Sequence, residues 1–143
     1  MGDGLMIMNA DGSNARTISR HSILDNYLFP PIWSPDSRKL AFVTNNLNAS
    51  QSAIMSGDLN AAAIHLIDVD TGQERPLLLN GTSGNFDPAW SADGSQIAFA
   101  STRSGNSEIW VVNVDGTHLR QLTNVGQFAR YPYWGRMTGS VQP

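Results

Sequence analysis

An internal repeat constrains the fold of this 143-residue chain more than any other feature. Residues 31–44 read PIWSPDSRKLAFVT and residues 88–101 read PAWSADGSQIAFAS. The two segments share proline, tryptophan, serine, aspartate and an Ala-Phe pair at the same spacing. The pattern begins a third time at Pro132-Tyr133-Trp134-Gly135. A chain built in this way is expected to repeat one structural unit.

A second block occurs three times, at residues 5–19, 64–78 and 109–123. Aspartate, arginine and an aliphatic residue recur in register in the three copies: Asp11, Asp70 and Asp115, then Arg16, Arg75 and Arg120, then Ile18, Leu77 and Leu122. The aspartate precedes the next repeated tryptophan by 22, 20 and 19 residues. The distance from the repeated tryptophan to the following hairpin aspartate is 37 residues in one unit and 25 in the next. This difference indicates an insertion of 12 residues, which is expected within the loop 45–60.

Each unit predicts four short antiparallel strands separated by turn-forming residues. The first is Pro-x-Trp, and a Ser-Pro-Asp-Ser or Ser-Ala-Asp-Gly turn leads into the second. An Asp-Gly or Asp-Thr-Gly hairpin joins the third strand to the fourth. The other strands are expected at Leu40–Thr44, Ile64–Val69 and a fourth ending at 77–79, then at Ile97–Ser101, Ile109–Val114 and a fourth ending at 119–123. Four strands in about 44 residues are typical of a β-propeller blade, so the predicted fold class is all-β.

The repeat closely resembles the TolB-type, WD40-like propeller repeat: Pro-x-Trp-Ser-Pro-Asp, then Ala-Phe, then Ile-Trp-Val-Val-Asn-Val-Asp-Gly, then Leu-Thr. The resemblance covers residues 4–135. It implies a six-bladed propeller used as a binding platform, as in periplasmic members that partner a peptidoglycan-associated lipoprotein. Similar repeats are fused to peptidases and bacterial kinases. By this analogy the location is the periplasm or cell envelope, although residues 1–20 show no signal peptide.

The strand count predicts about two and three-quarter blades within a single segment, 1–143. Its expected parts are a partial blade at 4–19, a blade at 26–79, a blade at 85–123 and a first strand at 131–135. A closed propeller needs at least four blades. Either the chain is a piece of a larger propeller, or a homo-oligomer completes the ring, because open blade faces and unpaired strand edges favour association.

Composition narrows the function classes. Nine Lys and Arg against twelve Asp and Glu give a net charge of −3 and no basic stripe, so nucleic acid is not an expected partner. No apolar run is long enough for membrane insertion. Without cysteine, and with three dispersed histidines, the sequence predicts no metal, no cofactor and no catalytic residue; it also contains no Gly-x-Ser-x-Gly elbow.

Candidate binding residues lie in the loops that vary between units, because the repetitive turns serve the scaffold. Aromatic residues and arginine, the usual anchors of interfaces, occur there beside polar groups. The candidates are Asn26, Tyr27, Phe86, Asp87, Arg103, Phe128, Arg130 and Tyr131. For Phe29, Phe86 and Tyr131, packing between blades is the stronger interpretation of each ring taken singly.

The function predicted from these observations is a non-catalytic protein-binding or scaffold module that recognises an unidentified protein through the variable loop face. Two alternatives remain open. The chain could be the propeller part of a larger hydrolase or peptidase, or a propeller that binds carbohydrate or peptide.

Overall fold

A computed structural model describes residues 4–20, 29–45, 59–78 and 83–135. Asn26, Tyr27 and most of the 45–60 insertion lie outside these residues. Within them the chain forms one short 3-10 turn, Leu59–Ala61, and ten strands. The strands are β1 Leu5–Ile7, β2 Arg16–Ser19, β3 Ile32–Trp33, β4 Lys39–Asn45, β5 Ala62–Asp68, β6 Glu74–Pro76, β7 Asn85–Trp90, β8 Gln96–Ser101, β9 Glu108–Asn113 and β10 Arg120–Gln121.

The strands form three antiparallel sheets. The N-terminal hairpin consists of β1 and β2, the first blade has the order β3-β4-β5-β6, and the second blade has the order β7-β8-β9-β10. Each four-stranded sheet is a simple meander, which is the arrangement of a propeller blade. The predicted all-β blade architecture is therefore confirmed. No helix in the described part of the chain is long and apolar enough to cross a membrane.

The turn between the first and second strands is built in the same way in both blades. Ser37 N donates to Ser34 O, and Gly94 N donates to Ser91 O, each at 2.9 Å. The hydroxyl of the serine that opens each turn donates to the aspartate two residues later, Asp36 or Asp93, at 2.6 Å. The Ser-x-Asp spacing thus fixes the turn locally.

Alternation along the strands buries both faces of the first blade. On one face, Leu40, Phe42, Ile67 and Val69 share a core cluster with Leu5 of the hairpin. On the other, residues including Val43, Ile64, Leu66 and Leu77 share a larger cluster with Phe86, Ile97, Phe99 and Val112 of the second blade. Because side chains alternate every two residues, a single strand supplies both interfaces.

The structure differs from the sequence expectation at strand ends. The fourth strand of the first blade ends at Pro76, and the expected strand over 131–134 is not a regular strand. Trp134 instead donates its indole N–H to Ala89 O of β7 at 2.9 Å. The anchor of this segment is therefore a side chain rather than a backbone ladder.

Candidate binding surface

Residues 124–135 follow β10 without regular secondary structure and carry a series of exposed apolar side chains. Val125 is 60% exposed, Phe128 75%, Tyr131 66% and Tyr133 92%. Rings this exposed contribute little to the fold of the chain itself. They are available to contact another molecule.

The first part of this segment is tied to Glu108, a buried carboxylate at the start of β9. Gly126 N donates to Glu108 Oε1 at 2.9 Å, and the Thr123 hydroxyl donates to Oε2. The hydroxyl contact, followed by the backbone N–H groups, lowers the pKa of Glu108 although burial opposes this. A charged carboxylate therefore holds the loop at its base.

The middle of the segment is pinned to Ser107. Ala129 N donates to Ser107 O, and the Ser107 hydroxyl donates to Ala129 O, both at 2.8 Å. Ser107 is 1% exposed, so these contacts are shielded from water. The backbone is thus fixed on the residue directly after Phe128, while the Phe128 ring faces solvent.

Arg130 joins the segment to the second blade. Its Nε lies 2.9 Å from Asp87 Oδ2 and its terminal nitrogen 3.3 Å from Oδ1, so the contact is bidentate. The side chain of Asp87 is only 5% exposed. The hydrogen bond to Asp87 raises the pKa of Arg130. The guanidinium also lies 5.1 Å from the centre of the Phe86 ring and 4.6 Å from that of Tyr131.

Arg130 stands at the repeat position that phenylalanine occupies in the two blades. It stands four residues before Trp134, as Phe29 and Phe86 stand four residues before Trp33 and Trp90. Because the three residues share this spacing, the repeat predicts that Arg130 packs against Phe29 and Phe86. In the structure the guanidinium lies 5.7 Å from the Phe29 ring centre. The interpretation that the Tyr131 ring packs between blades is wrong, because this ring is 66% exposed and the Arg130 guanidinium packs on the two phenylalanines instead.

Arg103 is held inside the second blade. It donates to Asn85 Oδ1 at 2.6 Å and to the Ser101 hydroxyl at 3.0 Å. Its guanidinium covers the Trp110 ring at 4.9 Å and the Phe99 ring at 5.5 Å. Burial lowers the pKa of Arg103. These contacts make it a packing residue between loop and sheet.

The structure thus divides the candidate residues predicted from the sequence. Phe128 and Tyr131 are exposed. Phe86 is fully buried between the blades, as the packing interpretation of its ring expected, so its ring is not part of an exposed binding surface. Asp87, Arg103 and Arg130 are engaged with neighbours inside the chain, and Asn26 and Tyr27 lie outside the described residues.

Tyr131 lines an open groove with a volume of about 460 Å³. The groove runs along the first strands of the two blades and the segment that follows the second. It is lined by Phe29, Pro30, Ile32, Asp87, Pro88, Tyr131, Pro132 and Tyr133. Sequence reasoning missed Tyr133 because a first strand was expected there. It missed Glu108 because a single carboxylate next to a loop has no distinctive pattern.

A second polar cluster lies between the N-terminal hairpin and the first blade. The Ser19 hydroxyl donates to Glu74 Oε2 at 2.7 Å, and His65 Nδ1 lies 2.7 Å from Glu74 Oε1. These contacts connect β2 to β5 and β6. In the described ranges, no three His, Asp or Glu side chains lie together in a way that could hold a metal ion.

Consecutive four-stranded blades, a shared inter-blade core and an anchored loop segment together define a β-propeller segment. The family model of the TolB beta-propeller domain matches residues 3–140, and the chain belongs to that family. The predicted resemblance is confirmed.

The relatives include Tol-Pal system proteins and an uncharacterized peptidase. The chain is 32% identical over 132 residues to the Tol-Pal system protein TolB of Anaeromyxobacter dehalogenans, covering 91% of this chain and 26% of TolB. It is 28% identical over 105 residues to the uncharacterized peptidase YuxL of Bacillus subtilis, covering 73% of this chain and 15% of the peptidase. A solved TolB-type structure from Agrobacterium tumefaciens superposes with a TM-score of 0.69 at 24% identity, covering 93% of this chain and 42% of that one.

The chain spans about a quarter of the TolB relative and less of the peptidase. The similarity therefore concerns the propeller alone. The match therefore does not assign the activities of the complete relatives to this chain.

Proposed function

We propose that this chain acts as a non-catalytic protein-binding module whose partner docks on the loop face of the propeller. The contact surface consists of the exposed rings of Phe128, Tyr131 and Tyr133 on the segment 124–135. One observation carries the proposal: strongly exposed rings stand on a backbone that buried groups hold in place.

Fixed exposed rings suit recognition for a physical reason. Aromatic side chains give a large contact area and lose little conformational entropy on binding. A backbone that is already fixed lowers the ordering cost further. The contacts of Glu108 and Ser107 with the loop, and that of Arg130 with Asp87, provide this pre-organisation.

The groove beside Tyr131 and Tyr133 provides the second part of the surface. Its walls are mainly aromatic rings and proline, with the Asp87 carboxylate as the charged group. Such a lining favours an apolar, extended segment of a partner protein. The membership of TolB in the Tol-Pal system, as its name records, also favours a protein partner.

The test selects short random peptides displayed on phage against the wild-type chain and measures the affinity of the enriched peptides. Tyr131→Ala and Tyr133→Ala are expected to weaken binding at least tenfold, because central aromatic contacts contribute most of the affinity of an interface. Unfolding by urea should be nearly unchanged, since both rings are exposed.

Met6→Ala is the matched control, because Met6 is 59% exposed, close to the 66% of Tyr131, but lies on the N-terminal hairpin. Its peptide affinity should equal that of the wild type. Failure to enrich any peptide, or equal affinity in the tyrosine variants, would reject this surface. Arg103→Ala and Arg130→Ala are less suitable probes, because both side chains also stabilise the chain.

A second candidate role is supported by the similarity to peptidase YuxL. In that case the module is the propeller part of a larger hydrolase, and catalytic residues come from another domain of the same polypeptide. Sequencing the reading frame on both sides of the segment tests this role. A hydrolase domain in frame would support it, and its absence would reject it.

A further inference from the structure

We propose that Arg103 binds a carboxylate group of the partner protein, so that the segment recognised by this module carries an aspartate or glutamate side chain beside its apolar residues. The carboxylate site rests on the proposed function, because it adds one chemical requirement to binding at the same loop face. Two arginines that pack on the second blade, Arg103 and Arg130, differ in a way that points to this requirement.

Both arginines lie against aromatic rings of the second blade. The Arg103 guanidinium lies 4.9 Å from the centre of the Trp110 ring and 5.5 Å from that of Phe99. The Arg130 guanidinium lies 5.1 Å from the centre of the Phe86 ring. Contact with a ring face orients the guanidinium and leaves its edge free for hydrogen bonds. Both side chains are therefore held in a defined orientation.

The hydrogen-bond partners of the two arginines differ in charge. Arg130 contacts both oxygens of the Asp87 carboxylate, which neutralises its charge. Arg103 donates instead to the amide oxygen of Asn85 at 2.6 Å and to the Ser101 hydroxyl at 3.0 Å. Asn85 and Asp87 stand two positions apart on β7. The same strand thus supplies a carboxylate to one arginine and a neutral amide to the other.

No carboxylate of the described residues forms an ion pair with Arg103. Glu108 lies opposite Ser101 on β9, but its two oxygens accept hydrogen bonds from Thr123 and Gly126. Burial lowers the pKa of Arg103, and no charged neighbour in this part of the chain offsets it. Because a half-buried cation without a counter-charge is costly, an incoming carboxylate is stabilised there.

The Arg103 guanidinium has donors left for such a carboxylate. An arginine donates from Nε, Nη1 and Nη2, and the contacts with the chain use only Nε and Nη2. In the described ranges Nη1 donates to no group, and the side chain is partly exposed. The indole N–H of Trp110, the ring that Arg103 covers, is also buried without an acceptor among these residues. The site therefore has an excess of donors and lacks an acceptor.

The Arg103 site adjoins the exposed rings of the proposed binding surface. Arg103 belongs to the loop 102–107, which joins β8 to β9. Ser107, at the end of that loop, is hydrogen bonded to Ala129, directly after the exposed Phe128. One partner segment can therefore contact the rings and the guanidinium together. A carboxylate on that segment matches both the charge and the planar fork of the arginine.

The first experiment titrates the labelled chain with N-acetyl-aspartate methylamide, whose only charge is its side-chain carboxylate, and follows the arginine Nε–H signals by NMR. The neutral asparagine analogue is the matched probe. The acid alone should shift the Arg103 signal in a saturable manner. The Arg130 signal should stay in place, because Arg130 is already paired with Asp87.

Three results of this titration would overturn the proposal. They are an unchanged Arg103 signal, equal shifts at Arg103 and Arg130, and an equal response to the neutral analogue. A stronger response to inorganic phosphate at the same concentration would also overturn it, because the site would then select phosphate over a carboxylate.

Asn85→Asp tests the site without removing the arginine. It places a carboxylate where the amide oxygen now accepts from Arg103, so the chain itself should neutralise the guanidinium. The affinity for the aspartate probe should fall about tenfold, because the internal carboxylate competes for the same donors. Gln73→Glu makes the same change of charge at an exposed turn of the first blade and should leave the affinity unchanged.

Urea unfolding checks that Asn85→Asp is folded, since the variant also loses the hydrogen bond from Asn85 Nδ2 to Ser83 O. Arg103→Gln is the second variant and should abolish binding of the probe, because it removes the charge. Full affinity in either folded variant would contradict the assignment of Arg103.

Peptides selected by phage display separate this site from the proposed ring surface. The enriched peptides should contain an acidic residue and should bind Asn85→Asp about tenfold more weakly than the wild type. Weaker binding in Tyr131→Ala alone would keep the ring surface and reject the carboxylate site. Weaker binding in Asn85→Asp alone would keep the carboxylate site and reject the ring surface.

Discussion

The first and second blades carry tryptophan at the same repeat position, yet the two side chains have different surroundings. Trp33 is 48% exposed, whereas Trp90 packs against the core between the blades. In the described residues, only a two-stranded hairpin precedes the first blade, but a complete blade precedes the second. The burial of a repeated residue is therefore set by the neighbouring sheet and not by the repeat.

The largest expected effect tests this difference directly. Trp90→Ala should lower the free energy of unfolding by about 3 kcal/mol, because it leaves a cavity between two sheets. Trp33→Ala should lower it by about 1 kcal/mol, since half of the ring already faces water. Urea unfolding of the two variants measures both values. Equal losses would show that the tryptophans are buried alike in solution.

A smaller effect is expected at the turns, where the two blades differ by one side chain. Ser37 has φ of 57° and its equivalent Gly94 has φ of 71°, so both lie in the left-handed region. That region favours glycine. Ser37→Gly should therefore raise the free energy of unfolding by about 0.5 kcal/mol after the entropy of the unfolded chain is included.

The reciprocal change, Gly94→Ser, should lower the free energy of unfolding by a similar amount. A Cβ at Gly94 meets the Pro35 side chain at 3.6 Å, an ordinary contact, so backbone conformation alone decides the sign. Thermal unfolding of both variants measures the pair. A stabilising Gly94→Ser would contradict the assignment of strain to the left-handed region.

The smallest effect concerns the turn aspartates. Hydrogen bonds from Ser91 and then from Ser95 lower the pKa of Asp93 to about 2. Asp36 accepts hydrogen bonds from the Ser34 hydroxyl and Arg38 N, and its pKa is also lowered. Because the pKa is depressed in the folded state, the stabilisation by Asp93 is present above its usual value of 3.8 and is lost as pH falls through about 2.

Ser95→Ala removes the Ser95 hydroxyl, which donates to Asp93 and has no equivalent at Asp36. It should raise the pKa of Asp93 and leave that of Asp36 unchanged. Carbon-detected NMR titration of the two carboxyl groups measures this. An unchanged Asp93 titration would mean that the backbone contact and the Ser91 hydroxyl are sufficient.

The sequence predicted the second and third strands of both blades to within two residues, because alternating apolar residues and turn formers act locally. It was less accurate where an element is fixed by a distant partner. The segment 131–134 matches a first strand in sequence, but its position depends on the indole of Trp134 reaching Ala89.

The candidate residues show the same division. Aromatic residues and arginine in the loops could be listed from the sequence, but their exposure could not. The sequence assigned both Phe86 and Phe128 to loops, yet Phe86 lies in β7 and is fully buried, whereas Phe128 is 75% exposed. The difference arises because Phe86 meets Phe29 across the blade interface, 57 positions away in sequence, at 6.0 Å between ring centres.

By itself the sequence determined the repeat, the four-stranded unit, the Ser-x-Asp turns and the register of Arg16, Arg75 and Arg120, because each depends on residues close together along the chain. The tertiary structure alone decided that Arg130 pairs with Asp87, that Glu108 holds the loop after β10, and that Arg16 and Arg75 each donate to a backbone carbonyl of the following sheet. Those outcomes depend on which sheet packs beside which, and packing partners distant in sequence leave no local pattern from which they could be read.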